Sequence, residues 1–255
     1  MNVSILQYDI AWLNPEKNHR YIEAKLRTLP MNTDLLILPE MFPTGVTTKV
    51  EDNYELMEGP SLLFMKEQAE NYGFAICGSI LIRENDKYYN RFVFVTPEGL
   101  VHTYDKRHRF TLGGEHKVVE AGTRCDIIEY RGWRIKPQVC YDLRFPVWSR
   151  NVENYDLLIY VANWPKARDF AYETLIRARA IENQCYVCAC NRIGVDGSKI
   201  VYDGKSMVID ARGQTMEDAQ DHETVINTYL DKADLDKFRQ RFTVLEDGDN
   251  FELQP

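Results

Sequence analysis

Three short stretches of the chain each present one reactive residue: LPEMF carries Glu40, YDKRHRF carries Lys106 and VCYDLRFP carries Cys140. Each follows a run of apolar, strand-forming residues, and strand ends are where loops build sites. A thiol is only slightly ionised near neutrality, so it needs a neighbouring base or positive charge to attack well. A carboxylate held among apolar groups can serve as that base. An ammonium beside the thiol favours thiolate and stabilises a developing oxyanion, worth about 3 kcal/mol in a water-excluded site. Taken singly, each residue has an ordinary reading: a core cysteine, a surface glutamate at a strand end, a solvated lysine beside Asp105. Brought together, they form a set suited to attack on a carbon–nitrogen bond.

Other residue types compete for these roles. Glu115, in LGGEHKVVEAG, follows two glycines that permit a close turn, and is read either as a second carboxylate near Lys106 or as a loop residue. Of the five histidines only His108 and His116 lie near the candidate segments, and neither sits in a local Cys–His signature. There is no GxGxxG or phosphate-loop pattern, which removes the nucleotide readings, and no His/Asp/Glu cluster at metal-ligand spacing stands out. Cys185, Cys188 and Cys190 fall in the strand-like run CYVCACN, where Cys188 and Cys190 share one face and Cys185 the other. They are expected to pack in the core rather than converge on a metal.

The elements that must position these residues alternate between strand and helix, which predicts an α/β fold. Strands are expected at Val3 to Gln7, 34 to 38, FAICGSILI, DLLIYVAN (156 to 163), CYVCAC, SMVID and ETVINTYL. Hairpins are expected at YNRFVFVTPEGLVHTYDK and CDIIEYRGWRIKPQVC, the second turning at Arg131-Gly132. Helices are expected over 16 to 29, over 61 to 73, after Pro165 and over DKADLDKFRQRF. In the third of these, Ala171, Leu175, Ala178 and Ile181 form one apolar stripe that predicts its buried face. Strands apolar throughout, such as DLLIL, predict a sheet covered on both sides.

Composition narrows the class. The chain has 255 residues, 44% of them hydrophobic, with no linker or repeat, and is read as one domain, 1–255, with an acidic tail over about 243–255. The formal net charge of −8 argues against a nucleic-acid partner, and the Lys106-Arg107-His108-Arg109 cluster is read as site-lining or ion-paired. MNVSILQYDI lacks a basic leader and a cleavage site, and no apolar run approaches the roughly 18 residues of a membrane span. A cytoplasmic protein with reduced thiols and no membrane partner is the expectation.

The three segments, in this order and spacing, resemble the three catalytic boxes of the nitrilase superfamily of carbon–nitrogen hydrolases. The resemblance runs from the first strand to about Leu230. VANWPKAR, ARAIENQ and CNRIGVDG resemble more narrowly its bacterial omega-amidase branch. The resemblance implies a four-layer αββα sandwich, commonly paired as a homodimer through helices next to the nucleophile. It implies Cys140 as nucleophile, Glu40 as general base, Lys106 as oxyanion stabiliser and Glu115 as auxiliary glutamate, without metal or cofactor. The implied substrate is a small-molecule amide, the terminal amide of 2-oxoglutaramate or a related 2-oxo acid. The backbone N–H of Tyr141 is expected to share the oxyanion. Phe42, Trp164, Lys166 and Arg168 are candidate pocket residues; Arg107 and Arg144 are further cations near the site, Arg144 being read as an ion-pair partner of a nearby carboxylate. One departure is Val119-Glu120-Ala121-Gly122, where many members carry a proline before the glycine. The rival readings are an N-carbamoyl amino acid amidohydrolase, a nitrilase, and a non-catalytic binding protein on the same fold.

Overall fold

A computed structural model describes residues 1–253; the expected acidic tail therefore reaches two residues, 254 and 255, outside the described part. The first half of the chain runs through β1 (Asn2–Gln7), α1 (Pro15–Leu26), β2 (Leu35–Ile37), α2 (Pro60–Tyr72), β3 (Ala75–Glu84), β4 (Lys87–Val95) and β5 (Val101–Asp105). The second half runs through β6 (Ile128–Tyr130), β7 (Trp133–Val139), α3 (Pro146–Ser149), β8 (Leu157–Ala162), α4 (Asp169–Asn183) and β9 (Tyr186–Asn191). It ends with β10 (Ile193–Val195), β11 (Val201–Asp203), β12 (Met207–Ile209), β13 (Thr215–Asp218), β14 (Thr224–Tyr229) and α5 (Lys232–Arg241).

Two six-stranded sheets result, ordered β14-β1-β2-β3-β4-β5 and β13-β12-β9-β8-β7-β6. Their facing sides share one core, in which Ile37, Phe92 and Phe94 of the first sheet meet Ile135, Ile159 and Cys188 of the second. On the outer side of the first sheet, Leu36, Ile76 and Val93 pack on Ile22 and Leu26 of α1 and Leu62 and Met65 of α2. On the outer side of the second, Leu158, Val187 and Ile209 pack on Tyr172, Ile176 and Ala180 of α4. This is the expected αββα arrangement, and it explains the uninterrupted apolar strands: both faces of each are covered. Cys188 and Cys190 lie in the core between the sheets and Cys185 in the outer one, as the strand period requires.

The strand ends matter for the site. In each sheet the central strands are parallel, β1-β2-β3 in one and β7-β8-β9 in the other. The segments after β2, β7, β8 and β9 leave from carboxyl ends of parallel strands, the edge where open α/β sheets bind ligands. At the opposite edge of the second sheet, Arg131 (φ 47°) and Gly132 (φ 77°) both take left-handed conformations in the two-residue turn between β6 and β7.

Two expectations need correction. The first helix stops at Leu26, so Leu29 packs from the following turn rather than from the helix. The apolar stripe of α4 is only the margin of its buried face, with Ala171 and Leu175 partly buried against the outer core. Ile181 is 49% exposed, and the buried positions are Tyr172, Ile176, Arg179, Ala180 and Asn183. Two of these are polar and hydrogen-bonded: Arg179 donates to the Leu143 carbonyl at 2.7 Å, and the Asn183 side chain accepts the Asn151 N–H at 2.9 Å. Hydrogen-bonded polar groups can be buried at little net cost, so apolarity alone misplaced the centre of that face. The small β10-β11 hairpin and β13 also had no expectation attached.

Candidate active site

Cys140 opens a tight turn, Cys140–Arg144, directly after β7, and its backbone sits at φ 45°. A non-glycine residue held in the left-handed region costs on the order of 1 kcal/mol or more and persists only where its surroundings enforce it. Asp142 provides that enforcement. Its fully buried carboxylate accepts from the N–H of Val139 at 3.0 Å, reaching back across Cys140. The same carboxylate accepts from the Tyr104 hydroxyl at 2.7 Å, the His108 N–H at 2.9 Å and, at 2.8 Å, pairs with His108 Nδ1. His108 is thus engaged with Asp142 and stacked on Phe145 at 3.7 Å. Tyr141 occupies the second position of the turn, where an N–H has no acceptor within the turn itself.

Glu40, Lys106 and Glu115 meet in a buried cluster beside this turn, each no more than 5% exposed. Lys106 Nζ donates to Glu40 Oε1 at 2.9 Å and to both Glu115 oxygens at 3.0 Å. Asn90, from β4, donates to Glu40 Oε1 at 2.7 Å and to Glu115 Oε1 at 3.3 Å, and its own carbonyl accepts from Ser79. Across the sheet interface, the Asn163 N–H at the end of β8 donates to Glu40 Oε2 at 2.8 Å. The Phe110 N–H closes the set on Glu115 Oε2 at 2.6 Å.

Counting acceptor sites separates the two carboxylates. An ionised carboxylate offers two lone pairs on each oxygen. Glu115 uses all four, two on Lys106 and one each on Asn90 and Phe110. Glu40 uses three, which leaves one site on Oε2, the oxygen that shares the Asn163 N–H region with the Cys140 thiol. Glu40 can therefore receive a proton without losing a hydrogen bond, and Glu115 cannot.

The charges agree with this division. Burial works against the Lys106 charge, but the carboxylates of Glu115 and Glu40 outweigh it and hold the ammonium well above its ordinary range. Burial pushes the Cys140 thiol well above its usual range; Glu40 adds to that shift, while Lys106 and the Asn163 N–H oppose it. The resting site holds a neutral thiol beside a carboxylate with room for its proton.

Cys140, Glu40, Lys106 and Glu115 all line one cavity of about 450 Å³. Tyr141, Trp164 and Arg168 line it as well. Two expected pocket residues do not. Phe42 is fully buried in the outer core of the first sheet, packed against Gly78, because its backbone is pinned by the Ser79 carbonyl with the ring turned away from the cavity. Lys166 points to solvent and pairs with Asp203 at 2.6 Å. Arg107 is turned to the Gly122 carbonyl and the Trp148 ring. Arg144 lines the cavity over the Trp164 ring at 4.9 Å and, among the described residues, has no carboxylate partner, contrary to the ion pair expected of it.

Several residues escaped the sequence reading. Asn90 and Asn163 hold Glu40, and Asn191 holds Trp164 through a 2.8 Å bond from its N–H. An asparagine at the end of an otherwise apolar strand, as in DLLIYVAN, was the available signal. Trp12, Asp196 and Tyr202 form a rim carried by the first loop and the β10-β11 hairpin. The departure at 119–122 is accommodated by the backbone. Gly122 donates to the Lys106 carbonyl at 3.0 Å, and a Cβ there would stand 1.9 Å from the Asp105 carbonyl oxygen, so the loop end is pinned to the lysine strand through glycine.

Comparison with known proteins follows the same lines. The family model of carbon–nitrogen hydrolases matches residues 2–240. The omega-amidase YafV of Escherichia coli (strain K12) is 41% identical, the match covering 99% of this chain and 98% of that protein. The 2-oxoglutaramate amidase of Bacillus subtilis (strain 168) is 31% identical over 96% of each. The crystal structure of XC1258 from Xanthomonas campestris, a CN-hydrolase superfamily protein with an arsenic adduct in its active site, superposes with a TM-score of 0.97 at 44% identity. That match covers 100% of this chain and 99% of the other. With the family model spanning most of its length and relatives this similar from end to end, the chain belongs to the carbon–nitrogen hydrolase family.

Proposed function

We propose that the chain works as a single-domain omega-amidase that hydrolyses the terminal amide of a short 2-oxo acid monoamide such as 2-oxoglutaramate. The observation that carries the mechanism is the one open acceptor site on Glu40 next to the neutral Cys140 thiol. Glu40 takes the thiol proton as sulfur attacks the amide carbon, forming a tetrahedral intermediate. Its oxyanion is met by the Tyr141 N–H and by Lys106, which turns one of its two bonds away from Glu115 toward the new charge. Glu40 returns the proton to the leaving nitrogen, ammonia departs, and a thioester remains. Water activated by the same carboxylate then releases the acid. Glu115 keeps Lys106 charged and in place. The names of the two relatives, an omega-amidase and a 2-oxoglutaramate amidase, support the substrate class.

Ammonia release from 2-oxoglutaramate, glutamine and an N-carbamoyl amino acid, measured side by side, tests the reading. The omega-amidase reading expects 2-oxoglutaramate to give the highest kcat/KM and Cys140 to gain the acyl mass. Preferred turnover of the carbamoyl substrate, with carbon dioxide released as well, refutes it.

The working unit of this proposal is a homodimer. Exposed apolar side chains on the elements after the nucleophile turn support it: Val147 on α3, and Phe170 and Ile181 on α4. Sedimentation of the wild type against Phe170→Asp measures this; an unchanged monomer mass for both removes the dimer.

A further inference from the structure

Two guanidiniums in the cavity wall carry an inference that rests on the amidase reading and deepens it. Arg144 lies four residues past Cys140 on the same turn, 4.9 Å over the Trp164 ring. Arg168, just before α4, lies 5.1 Å over the Phe110 ring. Trp164 ties the two together, because its face underlies Arg144 and its Nε1–H donates to the Arg168 carbonyl at 3.0 Å. Phe110 in turn meets the Tyr141 ring edge-on at 5.1 Å. Both cations therefore belong to one aromatic wall that starts at the residue after the nucleophile.

Neither guanidinium has a hydrogen-bond acceptor or a carboxylate partner among the described residues. Both are partly buried, and the fully buried cations of the chain are engaged: Lys106 with two glutamates, Arg91 with Asp105 and Glu84, Arg192 with Asp9. Stacking on a ring holds the guanidinium plane while leaving its in-plane N–H groups open, the geometry that matches a carboxylate.

We propose that Arg144 and Arg168 together form the receptor for the carboxylate end of the substrate, selecting anionic amides over neutral ones, with Trp164 as the residue that positions both. The α-carboxylate and adjoining carbonyl oxygen of a 2-oxo acid offer the acceptors that two such donors can share. A neutral amide in their place leaves both cations without partners, which is how a polar site rejects a poor fit.

The test compares 2-oxoglutaramate with butyramide in Arg144→Met, Arg168→Met and the corresponding lysine variants. Each methionine variant is expected to lower kcat/KM for the anionic amide roughly ten- to a hundredfold more than for butyramide, the range for losing a charge-assisted hydrogen bond. The lysine variants should recover part of that selectivity. Equal losses on both substrates, or none on either, overturn the proposal. A second readout needs no turnover and serves variants that fold but react slowly. 2-Oxoglutarate should protect Cys140 from iodoacetamide in the wild type, and the half-protecting concentration should rise at least about tenfold in each methionine variant. Protection lost in the variants while the wild type fails to hydrolyse 2-oxoglutaramate upholds the receptor and removes the substrate assignment. Hydrolysis retained with selectivity and protection unchanged in the variants removes the receptor and leaves the amidase.

Discussion

The two sides of the cavity are built on opposite plans. On one side Glu40, Lys106 and Glu115 are buried and their hydrogen-bonding capacity is filled to within a single acceptor site. On the other side Arg144 and Arg168 lean on aromatic rings with their donors uncommitted. The first side is organised before anything binds, as electrostatic catalysis requires, because dipoles already in place cost no reorganisation during the reaction. The second side is left incomplete, so that binding of a complementary anion finishes it. Reactivity and recognition are thus separable here, and variants should divide them.

The strongest division comes at Cys140, the proposed nucleophile. Cys140→Ala should lower turnover by at least about 10⁴-fold, with the melting temperature held or raised, as checked by ammonia assay and thermal unfolding. A large loss of stability in this variant would mean that the thiol also supports the turn.

Glu40→Gln comes next. It keeps the shape but cannot take the proton, and kcat should fall roughly 10²- to 10⁴-fold. Glu115→Gln should leave the proton transfer itself in place and act through Lys106, so that its loss in kcat is smaller than that of Glu40→Gln. A reversed order of the two variants would contradict the assignment by acceptor count.

Asn90→Leu tests whether the filled side depends on its neutral partners. Two carboxylates and Ser79 would each lose a bond, and unfolding free energy should drop by about 1–3 kcal/mol. Displacement of Glu40 should cost roughly ten- to a hundredfold in kcat with a smaller change in KM. An equal change in KM alone would move Asn90 to the recognition side.

The smallest effect is in pH. Folded Cys140 and Lys106 both hold protons more tightly than their ordinary values of 9.0 and 10.5. For a group whose folded value is raised, its contribution to stability is complete below the unfolded value and is lost as pH rises through the folded one. Denaturant midpoints should therefore hold up to about pH 9 and decline above it. The wild type should show no more thiolate absorbance near neutral pH than Cys140→Ala. A wild-type excess there would mean that the resting nucleophile is already ionised.

Much of this was legible in the chain, and the omissions share a cause. LPE, YDK and VCYD each close a strand-like run, and their resemblance in order and spacing to the three boxes of a known family let Glu40, Lys106 and Cys140 be anticipated as neighbours although they follow strands of two different sheets. Phe42 could not be placed from sequence, because one residue after Met41 (φ 43°) the chain has reversed and the ring faces the outer core. Lys166 failed for a related reason: its partner Asp203 lies on a hairpin too short to show a period. Asn90, Asn163 and Arg179 are buried through bonds to groups far away in sequence, and no local pattern distinguishes them from surface polar residues. Position along a strand was readable. The satisfaction of buried polar groups was not.

The pairing of the sheets has a consequence for how the protein matures. Glu40 and Lys106 follow strands of the first sheet, while Cys140 and Asn163 follow strands of the second. The first sheet by itself, which the chain closes only with β14 near its end, holds an acid and an amine but no sulfur to activate. The site is complete only when the two sheets are docked, so recovered turnover on refolding reports their docking rather than the formation of either sheet.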